Sequence, residues 1–467
     1  MRATIKSHKY LGLGLLSTCL ITVLSLATGS ALVEVTHAEE MIEVSPTKAR
    51  PREAYYPNSE DLKPDEMRVI ACGTGMPTTR AAQAAACFLV ELGNGDKFLF
   101  DIGSGSAERI SSLQIPYNYL DKVFIGHLHT DHFGALHDLF IGGALMGRNV
   151  PLRVWGPSGA TKELGTAYAL DRMQEMLTWD LAGRAGNVDF RGYKMDVTEF
   201  DFRGENQVVY EDNGVTIRSF PAIHSIDGSV SYSLEWNNLK FVFSSDTYPN
   251  KWFIEYAKDA DLLIHECFIA VPELVSKMKF TPESALLVGT QVHTAPEAFG
   301  KVMSEVTPRK AVAHHIFKAF DTTAGVYERI RKTYDGPLSL AEDYMVWNVT
   351  KDDITVRLAE VDHHTWAPPL GAPAQAPKPE DKTEMAQKLG VETIDFSDFT
   401  KSGYWDVDDV LRPIFEEASR SWRVGRIAHD RWSRRRSSSA SPDWAARCAL
   451  ASSGRSMLSS ACATSRS

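Results

Sequence analysis

Short apolar runs separated by Gly-rich turns dominate the first part of the chain's body. Met67 to Thr74, Ala85 to Leu92 and Lys97 to Asp101 read as strands of a sheet built from sequence neighbours. Asp121 to Gly126 reads as a further strand. The apolar spacing then lengthens to that of a helix over Ala135 to Met146, and again within 157 to 186, including Leu164 to Leu181. Strands resume near Val208 and at Val215 to Phe220, Val230 to Trp236 and Phe241 to Ser244. Ala257 to Leu263, Pro296 to Val306 and Ala311 to Ala313 then alternate helix and strand. Strands in runs with helices interleaved predict two sheets packed face to face with helices outside. The Pro/Ala stretch Trp366 to Pro379 ends the compact body, and 380 to 418 is expected to be a small helical appendage.

Composition adds compartment and partner. Arg2, Lys6 and Lys9 precede an uncharged run from Tyr10 to Val33, and Thr36-His37-Ala38 ends in a small residue before Glu39. This predicts a signal peptide over 1 to 38, cut after Ala38, then a polar leader over 39 to 66. An uncleaved anchor is the competing reading; the Gly, Ser and Thr content of the run favours removal. The mature protein is then periplasmic or secreted, without a stable membrane span. The 467 residues are 43% apolar and 24% charged, ordinary values for a globular protein. A net charge of −10 argues against a broad phosphate-binding surface, so nucleic acid is not the expected partner. From 419 to 467 the composition turns to Arg, Ser and Ala, as in a solvated disordered tail, although Arg434-Arg435-Arg436 could bind nucleic acid. Of the six cysteines, Cys72, Cys87 and Cys267 lie in the body; they read as buried thiols, with a Cys72–Cys87 bridge as the alternative.

The candidate chemistry is concentrated in Val123-Phe-Ile-Gly-His-Leu-His-Thr-Asp-His-Phe-Gly134. His127 and His129 lie two apart, so an extended chain leaving a strand turns both imidazoles to one side. Asp131 and His132 follow where the chain enters the next helix. Imidazole nitrogen and carboxylate oxygen are the donors that zinc accepts, and four of them within six residues can serve two ions.

His-x-His-x-Asp-His resembles the signature of the metallo-β-lactamase superfamily, and the downstream residues fit its ribonuclease Z-like branch over about residues 67 to 350. Gly73-Thr-Gly-Met-Pro77 and Phe100-Asp-Ile-Gly103 are similar to the first strands of that branch. The resemblance implies an α/β fold, a four-layer αβ/βα sandwich over 67 to 362, here with a helical insertion and an appendage over 363 to 418. It adds His224 and Asp246 to the metal ligands His127, His129, Asp131 and His132. In Ser244-Ser-Asp-Thr247, Ser245 stands where the family usually has Gly. The last ligand falls in Ala311-Val-Ala-His-His-Ile316, and alignment on Ile316 favours His315 over His314. The implied centre holds two Zn2+, with Mn2+ or Fe2+ as alternatives: His127, His129 and His224 on one, Asp131, His132 and His315 on the other, and Asp246 between them. A hydroxide between the metals would be the nucleophile. His293, oriented by Glu266, would protonate the leaving group, and Asp131 belongs to the catalytic set as well as the ligands.

In ribonuclease Z a long arm that grips transfer RNA is inserted between the counterparts of His224 and Asp246. Here these residues are too close in sequence for it, and the longer insertion between His132 and His224 is expected to form a lid that selects a small molecule. The closest overall likeness, extending to Ser402-Gly-Tyr-Trp-Asp-Val-Asp-Asp409, is to metallo-hydrolases associated with guanitoxin biosynthesis; secreted arylsulfatases are another neighbour. The expected activity is cleavage of a phosphodiester, sulfate ester or lactone in a small substrate. The alternatives are an arylsulfatase-like enzyme, a ribonuclease Z-like phosphodiesterase or a non-catalytic metal-binding protein, and self-association into a homodimer is left open. His137, His363 and His364 read as solvated or outer contacts. Trp155, Trp179 and Trp252 could line a pocket, with core packing as the default.

Overall fold

The computed structural model describes residues 54–184 and 188–368. The signal peptide, the leader up to residue 53, the appendage beyond residue 368 and the tail lie outside the described residues. The described strands run β1 (Ala54–Tyr55), β2 (Met67–Gly73), β3 (Cys87–Leu92), β4 (Lys97–Phe100), β5 (Lys122–Phe124), β6 (Leu152–Pro157), β7 (Met195–Phe200), β8 (Gln207–Asp212), β9 (Val215–Pro221), β10 (Val230–Trp236), β11 (Leu239–Phe243), β12 (Leu262–Glu266), β13 (Lys310–His314), β14 (Leu338–Leu340), β15 (Met345–Val349) and β16 (Ile354–Ala359). They form a nine-stranded sheet in the order β1-β16-β15-β2-β3-β4-β5-β6-β7 and a seven-stranded sheet in the order β14-β13-β12-β11-β10-β9-β8.

The apolar runs are continuous because the central strands are covered on both faces. Successive side chains sort by the period of two. From the larger sheet, Val69, Ala71, Phe88, Val90, Phe98, Phe100 and Phe124 meet Tyr232, Leu234, Phe241, Phe243, Leu262 and Ile264 of the smaller one. Their sequence neighbours Ile70, Leu89, Leu99 and Val123 face outward into a layer with Leu136, Leu139 and Phe140 of the helix Leu136–Leu145. Outside the smaller sheet, Val242, Leu263, Ala311 and Ala313 pack with Phe299, Val302 and Met303 of the helix Pro296–Val306. The result is the expected helix–sheet–sheet–helix order.

Several expectations need correction. β1 pairs with β16, so residues 54 and 55 of the leader join the sheet. β6 and β7 were not expected; they extend the larger sheet in parallel from β5. The helices Thr166–Met176 and Thr178–Arg184 lie within the anticipated helical insertion, and their Leu170, Met173 and Leu181 are buried in the outer layer of that sheet. Ala257 and Ala260 are core residues between the helix Lys251–Tyr256 and β12. In accord with the favoured reading, Cys72, Cys87 and Cys267 are buried free thiols. Among the described residues no helix is long and apolar enough to cross a membrane.

Candidate metal centre

Parallel strands end at the same edge of a sheet, and here the two sheets bring those edges together. Asp101 follows β4, the His127 segment follows β5, Asp246 follows β11, Glu266 ends β12 and His315 follows β13. Three of these turns place a non-glycine residue in the left-handed region: Asp101 at φ 55°, Ser245 at φ 51° and His315 at φ 62°. Such backbone costs about 1 kcal/mol or more per residue and persists where the surroundings over-determine it.

Two groups of donors result. In the first, His129 Nδ1 lies 3.0 Å from His127 Nε2 and 3.2 Å from His224 Nε2. In the second, Asp131 Oδ2 lies 3.1 Å from His315 Nε2 and 3.4 Å from His132 Nε2. Asp246 Oδ2 is shared, 3.2 Å from both His132 Nε2 and His315 Nε2, and 4.0 and 3.9 Å from the Nε2 atoms of His127 and His224. All seven residues expected from the sequence are thus brought together. His315 joins the cluster, whereas His314 points into the intersheet core, its ring centroid 5.1 Å from Phe88 and 5.5 Å from Phe243.

Burial drives the His224 pKa down to about 4, and burial together with His132 holds that of His127 well below the ordinary range. Both rings are therefore neutral at pH 7, the form that offers a lone pair. Burial alone would raise the Asp246 carboxyl, but the imidazoles of His132 and His315 outweigh it and hold the group well below the usual carboxylate range. Asp131 Oδ1, His132 Nε2 and Asp246 Oδ1 are buried without a hydrogen-bond partner. Leaving such atoms unpaired costs roughly 1–3 kcal/mol each, and a divalent cation among them would satisfy all three. The donor set therefore fits two ions of the zinc type.

The partners behind the candidate ligands fix their orientation. His132 Nδ1–H donates to Asp101 Oδ2 at 2.6 Å, and His224 Nδ1–H donates to the Val292 carbonyl at 3.1 Å, so each turns Nε2 to the cluster. Asp101, not singled out as a site residue, was signalled by Phe100-Asp-Ile-Gly103, a carboxylate at the end of an apolar strand. Burial pushes its carboxyl up, against the donors His132, Gly126 and Ser245.

Beside the cluster, Glu266 accepts from Thr247 N–H at 2.6 Å, from Thr294 N–H at 3.3 Å and from His293 Nδ1–H at 3.0 Å. The His293 ring stacks on Phe268 with centroids 4.3 Å apart, and its Nδ1 is 3.8 Å from Asp246 Oδ2. Burial disfavours the His293 cation, but Glu266 more than compensates and raises its pKa to about 9. The other flagged residues lie apart from this chemistry. His137 is half-buried beside Asp138, 3.5 Å away, and His363 and His364 are exposed. Trp155 stacks on Phe124 in the core at 4.8 Å, Trp179 is 86% exposed and Trp252 is half-buried.

A family model described as "Anti-Pycsar protein Apyc1" matches residues 67–276. Ribonuclease Z of Archaeoglobus fulgidus is 24% identical over 319 residues, covering 61% of this chain and 99% of that protein. Ribonuclease Z of Bacteroides fragilis is 32% identical over 162 residues, covering 34% of this chain and 46% of that protein. The solved metallo-β-lactamase fold protein YhfI of Bacillus subtilis aligns with a TM-score of 0.46 and 18% identity over 61% of this chain and 100% of that one. With its two helix-covered sheets and relatives named ribonuclease Z, the chain is similar to the ribonuclease Z-like branch of the metallo-β-lactamase superfamily, a likeness that supports a metal-dependent hydrolase.

Proposed function

We propose that the protein is an exported dinuclear zinc phosphodiesterase acting on a small substrate. The observation that carries the dinuclear reading is Asp246 Oδ2, lying within 4.0 Å of imidazole nitrogens from both donor groups. His127, His129 and His224 would hold one ion, Asp131, His132 and His315 the other, and Asp246 both. When bound, such ions activate water at neutral pH and stabilise charge on phosphoryl oxygens.

His293 is the proposed general acid. Its Nδ1–H is committed to Glu266, so the proton it can give to a leaving oxygen is the one on Nε2. Glu266, anchored by two backbone N–H groups, orients that ring and favours its cationic form. Sulfate esters and lactones present similar carbonyl or sulfuryl oxygens to the same groups; the ribonuclease Z homologues favour the phosphodiester.

The small-substrate part rests on the segment between His224 and Asp246. It consists of β10, β11 and the turn at Asn237-Asn238, with no room for an arm. The relatives named ribonuclease Z nonetheless weaken the expectation, based on net charge, that nucleic acid is an unlikely partner. Mature protein loaded with zinc is therefore assayed on bis(4-nitrophenyl) phosphate, an aryl sulfate, a lactone and a transfer RNA precursor. Zinc-dependent turnover of the first with no 3′ cleavage of the last is expected. Efficient precursor cleavage would overturn the small-substrate reading, and a phosphodiester left intact while another ester is cleaved would overturn the phosphodiesterase reading.

A further inference from the structure

Ser245 occupies the turn between β11 and Asp246 at φ 51°, a conformation in which glycine is unstrained and serine is not. Its side chain is wholly buried between the two donor groups. Ser245 Oγ lies 3.0 Å from Asp101 Oδ2 and 3.1 Å from His127 Nδ1. The opposite wall is shaped to receive it: a Cβ on Gly126, beside His127, would stand 2.2 Å from Ser245 Oγ. The hydroxyl therefore fills space left by a glycine on the segment that carries His127 and His129.

The order of protons along this chain follows from what each group can donate. The Asp101 carboxylate accepts from Gly126 N–H through Oδ1 at 2.7 Å and from His132 Nδ1–H through Oδ2 at 2.6 Å. A carboxylate donates nothing, so Ser245 must direct its single O–H at Asp101. Its remaining capacity toward His127 is that of an acceptor, which requires the His127 proton to sit on Nδ1. His127 Nε2 then presents its lone pair toward His129 Nδ1 and Asp246 Oδ2.

We propose that Ser245 is a positioning residue that sets the His127 tautomer and ties both donor groups to one carboxylate, Asp101. The sequence is His127 Nδ1–H to Ser245 Oγ–H to Asp101, with His132 Nδ1–H meeting that carboxylate from the other side. This rests on the metal-centre reading above. It explains why the chain keeps a strained serine there: the hydroxyl orients one ligand of the first group through the residue that already orients one of the second.

The test uses the full mature chain as wild type, Ser245→Ala and Ser245→Gly. Long-range 1H–15N spectra of the metal-free proteins, with histidine labelled, report which His127 nitrogen carries the proton. Competition with a zinc chelator reports the two stepwise affinities. Wild type should show the Nδ1–H form, and both variants should lose that preference together with roughly 10- to 100-fold in zinc affinity at one site, the usual effect of removing such a partner. Glycine relieves the backbone strain and alanine does not, so equal losses identify the hydroxyl as the cause. If Ser245→Ala fails to fold, Ser245→Gly decides alone. Wild-type zinc affinity in Ser245→Gly, or an Nε2–H form of His127 in wild type, would overturn the proposal. Wild type that binds no zinc would instead sink the metal-centre reading, and the tautomer measurement would still judge Ser245.

Discussion

At the scale of single residues, His293 should separate proton transfer from metal binding. It lies outside both donor groups, so His293→Ala is expected to retain two zinc ions while losing about 10²- to 10⁴-fold in rate on esters with poor leaving groups. The deficit should shrink with nitrophenolate, which departs without a proton, and Glu266→Gln should follow the same trend more mildly. A uniform deficit across leaving groups, or lost zinc, would remove the acid role. His265 makes a different residue-scale prediction. It is fully buried between Phe253 and Phe299, its Nδ1–H donating to the Glu266 carbonyl at 2.6 Å, and burial lowers its pKa to about 4. The unfolded chain binds a proton below about pH 6.5 that the folded chain refuses until near pH 4. The stability is therefore fully present above pH 6.5 and is lost as pH falls toward 4, by up to ~3 kcal/mol. In metal-free protein, His265→Phe should flatten the fall in Tm between pH 7 and 5 relative to wild type; an unchanged slope would show that this imidazole is not responsible.

At the scale of elements, β13 and the turn after it decide between two adjacent histidines. His314 is the last strand residue and its ring lies between the two sheets; the chain then turns through φ 62° at His315 and delivers that ring to the cluster. Both nitrogens of His314 are buried without a hydrogen-bond partner. Replacing an unpaired buried polar ring by an apolar side chain removes a cost of about 1–3 kcal/mol. His314→Leu should therefore keep its zinc and melt no lower than wild type, whereas His315→Leu should lose one zinc ion and most activity. Metal analysis and melting curves distinguish the two, and the opposite result would exchange their roles. The same reasoning applies to β12, where adjacent His265 and Glu266 face opposite ways, one into the outer core and the other toward His293.

At the scale of the whole molecule, the centre stitches two sheets together, since β4 and β5 belong to one and β11 to β13 to the other. A ligand that binds only the folded state stabilises it by about 4 kcal/mol at a thousand times its Kd. Chelation should accordingly lower Tm by several degrees, and Asp246→Ala should abolish most of that response because one carboxylate serves both groups; a full zinc-induced shift in this variant would contradict the shared role. The sequence by itself determined the strand-rich core, because continuous apolar runs with a period of two admit few other arrangements. It also determined the first four candidate ligands, because His127 to His132 are local, and family resemblance extended the set to His224, Asp246 and His315. It did not reveal β6 and β7, whose flanking turns gave weak signals, or that Leu170, Met173 and Leu181 are buried in the outer layer of the larger sheet. Tertiary structure alone brought Asp101 to His132, 31 positions away, by pairing β4 with β5, and Ser245 to His127, 118 positions away, by closing the two sheets, and a hydroxyl's role depends on what it faces.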